Sequence, residues 1–119
     1  MQASEKAYFT HDQLQAFSEG ILRDGSEFNT QSWDLFMNYY GHVLEDGALT
    51  VREKRLIALA VANTIGCPYC MEAYTKASLE AGADKDQILE TLHVVSAMKT
   101  GANLAMGVQM KQLVDKLEM

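Results

Sequence analysis

An all-α fold follows from three observations. The chain carries one proline, it lacks any sustained alternation of β-branched residues, and its apolar residues recur at spacings of three and four along almost the whole length. At 119 residues it suits a single domain spanning 1–119, a size at which roughly two thirds of the unfolded surface can be buried.

The elements read as about six helices. Thr10-His11-Asp12-Gln13 has capping-box spacing and opens the first, which turns Leu14, Phe17, Ile21 and Leu22 toward the core and fades by Asp24-Gly25-Ser26. The second starts near Thr30 to Ser32 and sets Trp33, Phe36, Met37 and Tyr40 on one face before Gly41 interrupts it. Glu45-Asp46-Gly47 marks a turn. Thr50-Val51-Arg52-Glu53 repeats the capping box ahead of Leu56, Ile57, Leu59, Ala60 and Val61, a helix apolar on most sides and therefore central. A fourth helix runs from about Pro68 to Ala81 and stops at Gly82, a left-handed C-terminal cap. Asp84 and Gln87, again at capping-box spacing, start a fifth that Gly101 breaks; a sixth follows from about Ala102, apolar on more than one face through Leu104, Met106, Val108, Met110, Leu113, Val114 and Leu117. A small chain with surplus apolar helix surface shares that surface with copies of itself.

Both cysteines sit in Cys67-Pro68-Tyr69-Cys70. A dithiol at this spacing can cycle between two thiols and one disulfide, and nucleophilic attack needs the thiolate. Gly66 ends an apolar run and Pro68 suits a first helical position, so Cys67 falls near the N-cap and Cys70 in the first turn, at the positive end of a helix dipole. Cys67, Cys70 and Tyr74 then share one stripe. Tyr74 can donate its phenol proton to a thiolate or to a leaving oxygen, but with an ordinary pKa near 10 it is a poor base at neutral pH. A zinc site needs a second pair of ligands, and His11, His42 and His93 do not supply the paired spacing. No metal and no cofactor is expected.

Among the remaining polar residues, His93 shares a helix face with Leu89, Ser96 and Ala97 and is the best-placed spare base, although the spacing alone does not bring it to the sulfurs. His11 reads as a solvated first-turn residue and His42 as a helix end. The capping box explains Glu53 more simply than catalysis does. Arg55 sits in the polar opening of an otherwise apolar helix, where it can stabilise a thiolate, bind an anion or point to solvent.

A net charge of -6 and the absence of a basic patch argue against a nucleic-acid binder. Met1 to Lys6 opens polar without the apolar core of a secretory signal, and Leu56 to Ala62 is too short to span a bilayer. The expected compartment is the cytoplasm, with no membrane partner. Thiols there are kept reduced, which favours a catalytic, redox-sensing or metal-binding role for a close cysteine pair over a structural one.

The run from Leu49 to about Leu104, with Leu56-Ile57-Ala58-Leu59-Ala60-Val61-Ala62, Gly66-Cys67-Pro68-Tyr69-Cys70, Thr75-Lys76-Ala77 and Ala81-Gly82-Ala83, resembles the core of the alkylhydroperoxidase D-like (AhpD-like) proteins of the carboxymuconolactone decarboxylase superfamily. The resemblance implies an all-helical bundle assembled into homo-oligomers, trimers or hexamers. It also implies a peroxidase-type reaction in which Cys70 attacks a hydroperoxide and Cys67 resolves the sulfenic acid to a disulfide, regenerated by a thiol reductant. Two departures matter: Tyr74 stands where that family has a histidine, and Arg55 where it has a glutamate. The family's proton relay therefore does not carry over, and Cys67 could lead the attack instead, as in thioredoxin-like sites. The run Cys67 to Thr75, with Glu90-Thr91-Leu92-His93-Val94 after it, is similar to a peroxidase-like subgroup associated with arsenosugar biosynthesis.

The expected function is a thiol peroxidase or disulfide oxidoreductase with Cys67 and Cys70 as the couple and Tyr74 and His93 as proton donors. The alternatives are a dithiol module that binds a soft metalloid such as arsenite or passes electrons to a partner, and a decarboxylase-like relative.

Overall fold

Helix caps written in the sequence set the boundaries of the fold. In the computed structural model the chain is described over residues 11–119, and five helices occupy that span: α1 (His11–Leu22), α2 (Glu27–Val43), α3 (Val51–Ile65), α4 (Pro68–Glu80) and α5 (Lys85–Leu117). No strand occurs among the described residues. Thr10, the expected cap of the first helix, and the His11 side chain lie outside the described residues.

Two capping boxes form as the spacing predicts. Thr50 accepts the Glu53 backbone N–H while the Glu53 carboxylate accepts the Thr50 N–H at 2.9 Å, and Asp84 and Gln87 do the same at the start of α5. Each pair satisfies backbone donors that a helix start leaves without partners. The Thr50 N–H holds the Glu53 carboxyl below its ordinary value, with the Thr50 hydroxyl acting in the same direction.

Three expectations need correction. The second helix starts earlier, at Glu27, because Ser26 in extended conformation caps it by accepting from the Asn29 N–H, and it continues through Gly41 to Val43. Gly101 does not divide the C-terminal region, so five helices stand where about six were expected, and α5 runs 33 residues, roughly 50 Å at 1.5 Å per residue. A glycine inside a helix costs only about 1 kcal/mol against alanine, and both Gly41 and Gly101 sit in sequence that otherwise favours helix. Finally, the apolar face of α1 is not covered within the subunit: Phe17 is 55% exposed and Ile21 73%.

α3 is the central element, packed against α4 and α5, while α1 touches α2 and α4. The core it organises is small. Trp33, Leu59, Ala62, Ala83 and Val95 are the buried apolar side chains among the described residues, and Ser78, wholly buried, donates its hydroxyl to the Tyr74 carbonyl at 2.6 Å. Phe36 and Tyr40, expected in the core with Trp33, form a tilted aromatic ladder with it along α2 but stay exposed. No helix among the described residues is long and apolar enough to cross a membrane.

Thr50→Ala is expected to lower stability by about 1 kcal/mol, the usual cost of losing an N-cap, measured by urea denaturation. Since the Glu53 carboxyl titrates below its ordinary value of 4.5, its contribution is complete above that value and is lost as pH falls through the lower folded value. The stability difference between the parent and Glu53→Gln should therefore shrink on acidification below about pH 4.5.

Candidate functional site

The cysteine motif is built on a helix-to-helix reversal. Gly66, at φ +74, takes the left-handed conformation that ends α3, and the N–H groups of Gly66 and Cys67 both donate to the Ala62 carbonyl at 3.0 Å. A β-carbon at Gly66 would meet open space, so the demand for glycine there is conformational and not steric. Cys67 then sits in extended backbone as the N-cap of α4, with Pro68 at the first helical position. The Cys67 sulfur accepts the Cys70 N–H at 3.2 Å, the role a serine or aspartate oxygen usually plays.

This arrangement brings the two cysteines together as a disulfide, with Cα atoms 5.3 Å apart. The Cys67 sulfur caps the α4 terminus, and Cys70 is bonded to it from the first turn. On reduction that positive end favours thiolate over thiol.

Beside the motif, α2 and α3 enclose an open apolar cleft of about 800 Å³, and Cys70 and Tyr74 line it while Cys67 does not. Phe36, Tyr39, Val61 and Ile65 form much of its wall. Tyr40 also lines it, and partial covering of its ring by the cleft pushes its phenol up from 10.0, so at neutral pH that hydroxyl keeps its proton. The far end is more polar: His42, Asp46 and Lys54 contribute there, with the Lys54 ammonium donating to the Glu45 carbonyl and the Asp46 carboxylate accepting the Val51 N–H.

The remaining candidates are dispersed. His93 lies on α5 with its side chain exposed and is not among the cleft residues. Arg55 donates from α3 to the Ala77 carbonyl of α4 at 2.8 Å and so ties the two helices together. His42, read from the sequence as a helix end, does stand in the last turn of α2, and it also lines the cleft that α2 faces across from α3. No signal in the local spacing could have linked it to Cys70, because the two meet one cavity only through tertiary packing. No cluster of three or more His, Cys, Asp or Glu side chains suited to a metal ion occurs among the described residues.

An all-helical subunit whose cysteine pair opens an interior helix beside an apolar cleft defines the class. The sequence pattern of the carboxymuconolactone decarboxylase family matches residues 32–109, and the chain belongs to that family. It is similar to uncharacterized protein 4 in the cox locus of Paracoccus denitrificans, 36% identical over 85 residues that make up 71% of this chain and 77% of that one. It is also similar to a structural-genomics crystal structure of a protein from Methanobacterium thermoautotrophicum, with a TM-score of 0.65 and 26% identity over 75% of this chain and 98% of the other. The family includes decarboxylases and peroxidase-like enzymes.

Two substitutions test the geometry. Gly66→Ala is expected to cost about 1–2 kcal/mol, the penalty for an L side chain in left-handed backbone, read from the denaturation midpoint. Arg55→Leu should cost about 1 kcal/mol and no more, because the Ala77 carbonyl keeps its bond from the Ala81 N–H. It should also leave the alkylation pH profile of the reduced cysteines unchanged, whereas a thiolate-stabilising arginine would shift it upward when lost.

Proposed function

We propose that the protein is a thiol-dependent peroxidase-like oxidoreductase in which Cys70 attacks and Cys67 resolves. The observation that carries this reading is the asymmetry of the pair: both sulfurs are within disulfide reach at a helix N-terminus, but Cys70 alone lines the cleft. The Cys70 thiolate attacks the outer oxygen of a hydroperoxide, the O–O bond breaks, and an alkoxide leaves that takes a proton to become an alcohol. Cys70 is then a sulfenic acid. The Cys67 thiol attacks its sulfur, the disulfide forms, and water departs carrying the sulfenic oxygen. A thiol reductant returns both sulfurs to the reduced state, a cycle suited to a reducing compartment such as the cytoplasm.

Tyr74 is the proton donor to the leaving oxygen in this scheme, because it lines the same cleft as Cys70. It cannot replace a base at neutral pH, so the thiolate is supplied by the α4 terminus and not by proton abstraction. The wall of the cleft favours an organic hydroperoxide with an apolar body over hydrogen peroxide. The family's homo-oligomeric assembly, as trimers or hexamers, belongs to the same reading. A disulfide substrate would enter by exchange at the same sulfur.

Incubating the reduced protein with cumene hydroperoxide and counting thiols tests the proposal: loss of both is expected, and persistence of both rejects it. Cys70→Ser should abolish peroxide consumption. Cys67→Ser should stop after one equivalent and trap a sulfenic acid at Cys70, and the reverse pattern would make Cys67 the attacking residue. Tyr74→Phe is expected to lower kcat by about 100-fold, the lower end of general-acid contributions. His93→Asn tests the second donor; its exposed position outside the cleft predicts activity within about twofold of the parent, since 1.4 kcal/mol of barrier is needed for tenfold. Tight arsenite binding without peroxide turnover would favour the dithiol-binding alternative.

A further inference from the structure

The cleft beside Cys70 has two chemically different ends. At one stands Cys70, in the first turn of the helix that follows Ile65 across the Gly66 reversal. At the other stands Lys54, near the start of α3, with His42 from the last turn of α2. From Lys54 to Ile65 the helix runs about 16 Å. The wall along that length is apolar, through Val43, Leu49, Ile57 and Val61.

Lys54 is half-buried, and its ammonium is held in one place. It donates to the Glu45 carbonyl at 2.6 Å, and it sits so close over the turn that a β-carbon on Gly47 would stand 3.4 Å from the Nζ. No ion pair to Lys54 occurs among the described residues. Asp46, the acid that shares this end of the cleft, has its Oδ1 on the Val51 N–H at 3.0 Å. A lysine carries three donors, so the bond to a neutral carbonyl leaves its full charge and two N–H groups to a ligand. Drawing an ammonium partly out of water without a counter-ion costs free energy, and a ligand carboxylate would offset that cost. His42 brings a further ring donor to the same end.

We infer that the cleft binds an elongated monocarboxylate, with its carboxylate on Lys54, its hydrocarbon chain along α3 and its reacting group at Cys70. Resting on the peroxidase reading above, this makes the substrate a fatty acid hydroperoxide. An extended chain advances about 1.3 Å per carbon, given bonds of about 1.5 Å, so the length of the cleft sets the peroxide about a dozen carbons from the carboxylate. Reduction is the step already described: the outer peroxide oxygen passes to the Cys70 sulfur, the O–O bond breaks, and the inner oxygen takes a proton to give the hydroxy acid. The volume of about 800 Å³ lies within the range of small-molecule sites, about 300–1,000 Å³.

Binding is measured first, without an oxidant, so that it stands apart from turnover. Titration calorimetry on the disulfide form should show decanoate bound at least about tenfold more tightly than decanol, the low end for a hydrogen bond to a charged group. Lys54→Met should erase that preference and Lys54→Arg should keep it. Because the two ligands share one chain, damage to the fold would weaken both alike. Turnover supplies the second measurement. Linoleic acid hydroperoxide with the peroxide on the thirteenth carbon should be reduced with a kcat/KM at least about tenfold above that of its methyl ester, the difference lying in KM, and Lys54→Met should bring the two together. The isomer with the peroxide on the ninth carbon should be reduced at least about tenfold less efficiently, since its O–O bond falls short of Cys70. Equal binding of decanoate and decanol by the parent, a preference that survives Lys54→Met, equal use of acid and ester, or equal use of the two isomers would overturn the inference. The peroxidase reading would still stand in those cases if cumene hydroperoxide oxidises both thiols. Decanoate binding that depends on Lys54, in a protein whose thiols no hydroperoxide oxidises, would uphold the carboxylate site and overturn the peroxidase reading instead.

Discussion

The site depends on one junction, the double hydrogen bond from Gly66 and Cys67 to the Ala62 carbonyl. It ends α3, reverses the chain in a single left-handed residue, and places the next residue as the cap of α4. Because Cys67 is the cap and Cys70 lies in the first turn, the spacing of the two sulfurs is imposed by helix geometry and not by loop conformation. Moving either cysteine by one residue would rotate its sulfur by about 100° around the helix, out of reach of the other.

That junction is held in place by polar contacts that are inexpensive individually. Ser78 and Thr75 turn their hydroxyls back onto the carbonyls of Tyr74 and Met71, so neither of these two hydroxyls needs a partner on the helices beside α4. Arg55 crosses from α3 to α4 one full turn or more below the cysteines and ties the two helices there. Tyr74 and Arg55 occupy the places where the resemblance leads one to expect a histidine and a glutamate, and the polar groups on the cleft are the phenols of Tyr39, Tyr40 and Tyr74 with His42, Asp46 and Lys54.

What could be read from the sequence divides along the same physical line. Capping boxes are local, so Thr50 with Glu53, Asp84 with Gln87, and Cys67 before Pro68 were legible as helix starts, and Gly82 as a stop. Gly41 and Gly101 do not break their helices because an interior glycine is a small cost that the neighbouring residues outweigh, while Ser26 gives little signal as a cap because its helix begins polar. Periodicity identified the apolar faces but not what lies against them. Ile21, Phe36 and Leu113 sit on real stripes, and all three remain exposed in the subunit. The presence of His42 on the cleft, and of Cys70 without Cys67, depends on how α2, α3 and α4 are placed in space and has no sequence-local signal.

The small core, five buried apolar side chains among the described residues, concentrates the tolerance of the fold on very few positions. Each buried side chain there carries a large share of the total, since shortening one core leucine removes about 2–5 kcal/mol from a reserve of about 5–15 kcal/mol. Leu59, on the central helix, is therefore a position where a single methylene is felt across the whole subunit.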